Sequence, residues 1–189
     1  LQRELGKLGV HAEIVSLDDF YLGPDETPVL PNGEKDYETV DALDIALIQD
    51  CLNSVIHSGS CLLPEYDFTT KTRTLAARKL DVSDRGFVIM EGLHALNPIF
   101  TRDLPEGSTI KLYVSVKQQI KDINGEVISP MDIRLVRRIS RDIRSRDTTA
   151  ERTIAMWDNV VAGEDKYIRP YRLSADYTVN SIHIYEPCV

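Results

Sequence analysis

The chain has 189 residues and a formal net charge of −8 at neutral pH, because 30 Asp and Glu outnumber 22 Lys and Arg. This length predicts one domain, or one domain with a small appendage, and a composition of 42% hydrophobic and 28% charged residues argues against disordered and fibrous proteins. The acidic balance argues against a general nucleic-acid binder.

The first elements are the end of a helix and a short strand. Residues 1–8 (LQRELGKL) are typical of the last turns of a helix that Gly9 closes, so we expect further chain upstream. Residues 11–17 (HAEIVSL) predict a strand, and Asp18 and Asp19 follow its end.

A loop and an amphipathic helix come next. Residues 23–35 are rich in Gly, Pro, Asn and acidic side chains, which predicts a loop. Between residues 41 and 57 the apolar side chains recur every three or four positions, which predicts a helix. We expect Thr39 or Asp41 to cap its start, and Gly59 lies just past its end.

The remaining elements follow a polar stretch. Residues 64–74 (PEYDFTTKTRT) predict a loop between strand-like segments, and residues 87–90 (FVIM) predict a buried parallel strand that ends at Glu91. Four further elements are expected: a strand at 110–116, helices at 131–146 and 149–161, and a strand at 176–180.

Several common features are absent from the sequence. No apolar run approaches the roughly 20 residues that span a bilayer, and the start shows no signal-peptide pattern. Cys51, Cys61 and Cys188 lack the number and spacing of a disulfide framework or a zinc site, which is typical of thiols in a reducing compartment. We therefore expect a cytoplasmic protein without membrane or nucleic-acid partners.

Alternating strands and helices predict an α/β fold with a mostly parallel sheet flanked by helices. Ligands of such sheets bind outside the carboxyl ends of the strands, where Asp18 and Glu91 are expected. A carboxylate there can accept the proton of a substrate hydroxyl, and another can hold Mg²⁺. Acids at strand ends also form caps and turns, so both interpretations stay open at this point.

Two other segments carry charge of interest. Six arginines lie within thirteen residues of one predicted helix: Arg134, Arg137, Arg138, Arg141, Arg144 and Arg146. They could bind phosphate oxygens or form a solvated face of ion pairs. In the polar stretch 64–74, Tyr66 could stack on a polar ligand that Lys71 or Arg73 contacts, and a solvated loop is the alternative.

Five segments in this order closely resemble the uridine kinase/phosphoribulokinase family of P-loop kinases. They are SLDDFY (16–21), YETVDALD (37–44), LPEYDFTTKTR (63–73), IMEGLHALNP (89–98) and DIRLVRRISRDIRSR (132–146). The chain is most similar to a bacterial branch of nucleoside kinases whose module can follow a domain like one in threonyl-tRNA synthetase. The resemblance implies a P-loop NTPase-like α/β fold, a single domain over 1–189 with a helical lid at about 131–148, and the use of ATP and Mg²⁺.

The resemblance also implies roles for individual residues. Asp18 matches the general base and lies near Mg²⁺, which Glu91 helps to hold, and Tyr21 and Tyr66 match residues at the nucleoside. The lid arginines that approach the substrate and the phosphates are Arg138, Arg141 and Arg146. The implied reaction is in-line phosphoryl transfer.

The sequence departs from the family pattern in two ways. The phosphate loop Gly-x-x-x-x-Gly-Lys-Ser/Thr and its strand are absent from these residues, so residues that bind ATP there stay unassigned. We expect a truncated chain, or one whose loop was omitted, that turns over slowly or not at all. At the acceptor site Glu38, Lys71 and Met156 stand where the family usually has Asp, His and Gln.

The sequence therefore predicts ATP-dependent phosphoryl transfer to a nucleoside hydroxyl. A kinase of the same fold for another hydroxyl, and a non-catalytic nucleotide-binding or regulatory module, are the alternatives. The expected partner is a small nucleoside, while a homo-oligomer and a fusion to an upstream domain stay open.

Overall fold

The computed structural model describes residues 1–82, 85–115 and 120–181. The chain divides into two compact units, Leu1–Thr109 and Ile110–Val189. The first unit contains α1 (Gln2–Lys7), β1 (Ala12–Ser16), α2 (Ile45–Ser58), β2 (Ser60–Asp67), β3 (Thr72–Asp81) and β4 (Phe87–Glu91). The second contains β5 (Leu112–Ser115), β6 (Ile120–Lys121), β7 (Val127–Ile128), α3 (Pro130–Ser145), α4 (Ala150–Ala155), α5 (Trp157–Tyr167) and β8 (Tyr177–Asn180).

In the first unit β1 and β4 pair in parallel, and their register runs from Ala12 opposite Phe87 to Ser16 opposite Glu91. The strands β2 and β3 form an antiparallel hairpin, and α2 packs against β2. A buried apolar core lies between these elements. Its fully enclosed members include Leu17, Phe20, Ile48, Leu63, Leu80 and Phe100.

The predicted helix 41–57 forms, but its cap is different. The Asp44 carboxylate accepts the Leu47 N–H at 3.0 Å and starts α2, while Gly59 ends it with φ 72. Thr39 instead accepts the Asp41 N–H and starts a short 3₁₀ turn. Two residues that can cap a helix lie close together here: Thr39 caps the 3₁₀ turn, and Asp44 caps α2.

The prediction of a loop at 64–74 is wrong, because most of the segment belongs to the β2–β3 hairpin. The turn is short: the Asp67 carboxylate accepts the N–H groups of Thr69 at 2.7 Å and Thr70 at 3.3 Å. Most of the β3 side chains are exposed, so this strand lacks the apolar alternation that would have revealed it.

In the second unit β5 and β8 form a parallel pair, and β6 and β7 form an antiparallel pair. The predicted helix at 131–146 is α3, which Ser129 caps. The predicted helix 149–161 is two helices, α4 and α5, with Met156 at the junction. The predicted strands at 110–116 and 176–180 are β5 and β8, although Val116 lies outside the described residues.

Parallel strand pairs flanked by helices confirm the α/β class. A single domain with a lid at about 131–148 stays a prediction, and α3 lies within the second unit. None of the helices in the described part of the chain is long and apolar enough to span a membrane. Cys51 and Cys61 are free thiols, and Cys188 is not among the described residues.

Candidate functional site

The first unit places Glu91 at the end of one strand and Asp18 just after the end of the neighbouring strand. Ser16 and Glu91 are the last paired residues of β1 and β4, and Ser16 Oγ donates a hydrogen bond to Glu91 Oε1 at 2.5 Å. The same hydroxyl accepts the Asp18 N–H at 3.4 Å and caps the 3₁₀ turn Leu17–Phe20. One serine thus ties the Glu91 side chain to the turn that carries Asp18.

Gly92 allows this close approach of the two strand ends. Its φ is +149°, and a Cβ at this position would lie 2.8 Å from the Cβ of Leu17. Leu17 is buried in the core, so it has no room to move away. Glycine is therefore required where β4 ends beside the turn after β1.

Asp19 is a third acid at this end of the sheet. Burial raises the pKa of its carboxyl, and the charges of Glu65 and Asp18 add to that shift. The Arg78 guanidinium and a hydrogen bond with the Tyr66 backbone act in the opposite direction. The net raised pKa keeps a proton on Asp19 at a higher pH than an ordinary aspartate.

Four aromatic rings of the first unit form a cluster. Tyr21 lies with its ring centroid 6.1 Å from Tyr37, 5.6 Å from Tyr66 and 5.9 Å from Phe68, and the Tyr66 and Phe68 centroids are 5.0 Å apart. The Tyr21 hydroxyl donates to the Tyr37 carbonyl at 3.1 Å. Such a cluster offers aromatic faces and polar edges to a ligand.

Tyr66 is the most buried of the four rings. Its hydroxyl has no partner at good hydrogen-bond geometry among the described residues, although the Tyr37 phenol lies near it and the residue is only 7% exposed. Burial raises the pKa of its phenol to about 12, and the neighbouring Tyr37 phenol adds to the shift. A neutral, buried donor without a protein partner is suited to a polar group of a ligand.

His94 and Glu38 connect the loop after β4 with the segment before α2. His94 is 6% exposed, and burial lowers the pKa of its imidazole. The charge of Glu38, a hydrogen bond to its backbone and the charge of Asp36 oppose this shift without overcoming it. The imidazole therefore favours its neutral form near pH 7.

The hairpin places Lys71 and Arg73 in different settings. Lys71 is exposed at the turn, with φ 56. The Arg73 side chain is half-buried and forms an ion pair with Asp44 at 2.7 Å, and its second nitrogen lies 3.8 Å from Glu26. Because Asp44 also caps α2, Arg73 joins the hairpin to the start of that helix.

In the second unit three of the predicted lid arginines share one acid. Arg138 lies 3.4 Å from Asp142 Oδ2, while Arg141 at 3.4 Å and Arg146 at 4.0 Å face Oδ1. Asp142 is 4% exposed and Thr153 of α4 donates to its Oδ2 at 3.2 Å. These arginines therefore form one cluster.

Other predicted residues of the second unit have structural partners. Arg134 pairs with Glu164, which joins α3 to α5. Met156 is half-buried at the junction between α4 and α5. The roles predicted for all of these residues stay predictions.

Five residues of interest were missed or given little weight on sequence grounds: Ser16, Asp19, Tyr37, His94 and Asp142. The segment SLDDFY already contained the first two, and its two consecutive acids could have drawn attention to Asp19. The burial of His94 and Asp142 leaves no mark in the local sequence, because each depends on packing from a distant segment.

Asp18 and Glu91 have the type of donor atom that magnesium prefers. Asp18 and Glu91 provide hard carboxylate oxygens, and magnesium sites commonly use one or two carboxylates together with water and phosphate. Within residues 1–82, 85–115 and 120–181 no three His, Cys, Asp or Glu side chains form a metal-binding group. The arginine cluster fits phosphate oxygens, for which guanidinium forks are suited.

Comparison with known proteins gives a consistent result. A family model described as the phosphoribulokinase/uridine kinase family matches residues 9–185. A uridine kinase of Lactobacillus helveticus is 28% identical over 167 residues, which cover 88% of this chain and 71% of that protein. A uridine kinase of Saccharomyces cerevisiae is 26% identical over 172 residues, 89% of this chain but only 31% of the yeast protein.

Two solved structures share the fold. One is described as a candidate fructose transport system kinase of Silicibacter sp. TM1040, with a TM-score of 0.67, 19% identity, and coverage of 94% of this chain and 79% of that chain. The other is a candidate uridine kinase of Bacillus stearothermophilus, with a TM-score of 0.56, 14% identity, and coverage of 95% and 77%. At these identities the similarity establishes the fold alone.

Proposed function

The chain belongs to the phosphoribulokinase/uridine kinase family, and on this premise we propose that it transfers the terminal phosphoryl group of ATP to a hydroxyl of a nucleoside. Family membership indicates a kinase, that is, a phosphotransferase. The nucleoside acceptor and the use of ATP are the proposal. It is supported most directly by the link from Glu91 through Ser16 to the turn that carries Asp18.

In this proposal Asp18 is the general base. Its carboxylate accepts the proton of the acceptor hydroxyl as the oxygen attacks the terminal phosphorus of ATP. The bond from that phosphorus to the bridging oxygen breaks, and ADP leaves. Mg²⁺, when bound at Asp18 and Glu91, supplies positive charge to the phosphate oxygens. Ser16 fixes the Glu91 carboxylate and the Asp18 backbone, which lowers the cost of arranging them for the reaction.

The acceptor would lie on the aromatic cluster. Tyr66 offers a buried donor and Tyr21 packs beside it, while the exposed Lys71 is available to the ligand. Glu38, Lys71 and Met156 are assigned to acceptor selectivity, and Arg73 to the binding of the acceptor. For Arg73 the ion pair with Asp44 supports an indirect role through the hairpin.

Phosphate binding is assigned to Arg138, Arg141 and Arg146. Charge on the transferring phosphoryl group spreads over three oxygens, and guanidinium groups donate to such oxygens in pairs. The common acid Asp142 keeps these three side chains in one cluster, which supports a joint role.

The test is ADP release by the full-length protein with ATP, Mg²⁺ and a panel of nucleosides, hexoses and phosphorylated sugars. We expect turnover with a nucleoside and a loss of about 100-fold or more in Asp18→Asn, which keeps the side-chain shape but not the base. Asp25→Asn, at an exposed acid of the following loop, is the matched control and should keep its rate.

The other outcomes would contradict the proposal in different ways. Turnover with only a sugar would show that the acceptor is a sugar and not a nucleoside, while the kinase activity would stand. ATP binding without turnover of any acceptor would favour a regulatory module. An Asp18→Asn enzyme as fast as the unaltered one would remove Asp18 from the role of base.

A further inference from the structure

Asp142 stands out among the acids of the second unit because of its burial. Its side chain is 6% exposed, although it lies on a helix rich in exposed charges. Each carboxylate oxygen has two neighbours: Oδ2 faces Arg138 and accepts from Thr153, while Oδ1 faces Arg141 and Arg146. Three cationic side chains therefore converge on one carboxylate.

The backbone at Asp142 also helps to hold this arrangement. Its carbonyl accepts the N–H groups of Arg146 at 3.1 Å and Thr148 at 3.2 Å, where α3 ends. Thr153 reaches the carboxylate from α4, so the acid joins two helices. The end of α3 and the start of α4 are consequently held by the same residue that gathers the arginines.

The charges acting on Arg141 show how close the cations lie. Burial lowers the pKa of its guanidinium, and the charges of Arg146 and Arg138 lower it further. Asp142 acts in the opposite direction and favours the protonated form. Without the carboxylate, the like charges would favour separation of the three side chains.

We propose that Asp142 is a positioning residue, which orders Arg138, Arg141 and Arg146 into a single phosphate-binding cluster before the phosphates arrive. The proposal rests on the proposed function, because it assigns phosphate to these arginines. An arginine side chain loses rotamer entropy when it is fixed, so a cluster ordered in advance binds an anion at lower cost.

This proposal and simple electrostatics predict opposite results for one substitution. Asp142→Asn removes a negative charge beside the arginines, so net charge alone would strengthen anion binding. If Asp142 orders the three arginines, its loss would instead weaken anion binding, because the arginines would then have to become ordered when the anion binds. Asp132→Asn removes the same charge from an exposed position in the first turn of the same helix and is the matched control.

The experiment measures the dissociation constant of inorganic tripolyphosphate by calorimetry, with the full-length protein at low salt. We expect Asp142→Asn to raise it at least fivefold and Asp132→Asn to leave it unchanged or lower it slightly. An unchanged or lower constant in Asp142→Asn would overturn the proposal. Circular dichroism and the melting temperature show whether each variant is folded.

Thr153→Val keeps the proposal testable if Asp142→Asn does not fold. It removes only the hydrogen bond to Oδ2 and keeps the acid with its three arginines. We expect a two- to threefold rise in the dissociation constant, and no rise in a folded Thr153→Val protein would contradict the proposal.

Turnover separates this proposal from the proposed function. An unaltered protein that binds tripolyphosphate more tightly than Asp142→Asn but phosphorylates no acceptor would retain the role of Asp142 and contradict the kinase activity. An active kinase whose Asp142→Asn variant binds tripolyphosphate normally would retain the kinase activity and contradict the role of Asp142. If both hold, we expect kcat of Asp142→Asn to fall at least tenfold.

Discussion

Ser16 donates its hydroxyl hydrogen to Glu91 across 2.5 Å at the last paired position of β1 and β4. Because the two strands are parallel, the residues that follow them leave the sheet at the same edge. Ser16 also caps the turn that begins with Leu17 and contains Asp18. A small side chain with one donor and one acceptor thus holds the Glu91 carboxylate and the backbone of the turn that carries Asp18.

Ser16→Ala should lower turnover by about tenfold, because Glu91 and the turn that carries Asp18 would no longer be held together. The free energy of unfolding should fall by less than about 1 kcal/mol, since Glu91 is exposed and water can replace the hydroxyl. ADP release and urea denaturation measure the two effects. Ser108→Ala, which removes an exposed hydroxyl bonded to the Pro105 carbonyl, is the control and should change neither. An Ser16→Ala enzyme with normal turnover would show that the serine does not order the site.

Gly92→Ala should destabilise the first unit by about 2–4 kcal/mol, because the new Cβ would add steric overlap with Leu17 to an unfavourable φ of +149°. Gly107→Ala separates the two causes, since Gly107 has φ +76° and no atom within 4 Å of an added Cβ. Its cost should be about 1 kcal/mol. Urea denaturation of both variants provides the comparison. Equal losses would mean that the contact with Leu17 has no effect.

Much of the fold could be predicted because the periodicity of its elements is local. The helix end before Gly9, the strand before Asp18 and the helix α3 all form within about one residue of where the sequence predicted them. The hairpin β2–β3 could not be predicted this way. Its strands are mostly exposed on one side and rich in charge, so pairing between strands, not the pattern in either one, determines the structure.

The candidate site shows the same limit. Asp18 and Glu91 could be placed because strand ends are visible in the sequence, and the order of strands in a parallel sheet brings them together. The contacts of other charged residues could not be predicted from the sequence. The contact of Asp142 with Thr153 and that of Arg73 with Asp44 depend on packing between elements.

Tyr66→Phe should raise the KM of the acceptor by about fivefold to tenfold and leave the empty protein as stable as before, or slightly more stable. The reason is that the buried hydroxyl has no partner among the described residues, so its removal costs no hydrogen bond within this part of the protein. In the complex the same change would leave a polar ligand group unpaired. Steady-state kinetics and the melting temperature measure both effects, with Tyr113→Phe in the second unit as the control. A marked loss of stability would mean that the hydroxyl has a partner within the protein.

The ion pair between Arg73 and Asp44 should contribute more than an exposed pair, because both side chains are largely buried, at 13% and 25% exposure. A double-mutant cycle of Arg73→Met and Asp44→Asn should give a coupling free energy of about 1–2 kcal/mol, and asparagine retains the helix cap. The same cycle for Lys79 and Asp81, which are 2.8 Å apart but exposed, should give less than about 0.5 kcal/mol. Similar coupling in both cycles would show that burial does not strengthen the Arg73 pair.

The free energy of unfolding should fall as the pH is lowered below about 6.5, because burial lowers the pKa of His94 in the folded protein. At a pH between the lowered pKa of His94 in the folded protein and its higher pKa in the unfolded chain, the unfolded chain binds a proton that the folded protein does not. The free energy of unfolding therefore rises with pH through this interval, by up to about 1.4 kcal/mol per pH unit. Asp19 acts in the opposite direction, because its raised pKa favours the folded protein as its carboxyl becomes protonated.

Urea denaturation between pH 7.5 and 5.5 tests the prediction for His94. His94→Gln should lose most of the pH dependence, whatever its effect on stability at pH 7.5. Asp19 is present in both proteins, so its contribution cancels when the pH dependence of the variant is subtracted from that of the unaltered protein. His57→Gln is the matched control, because His57 is exposed at the end of α2, and the control should keep the dependence. If His94→Gln keeps the same slope as His57→Gln, the fall in stability arises from other groups, and the buried imidazole is not its cause.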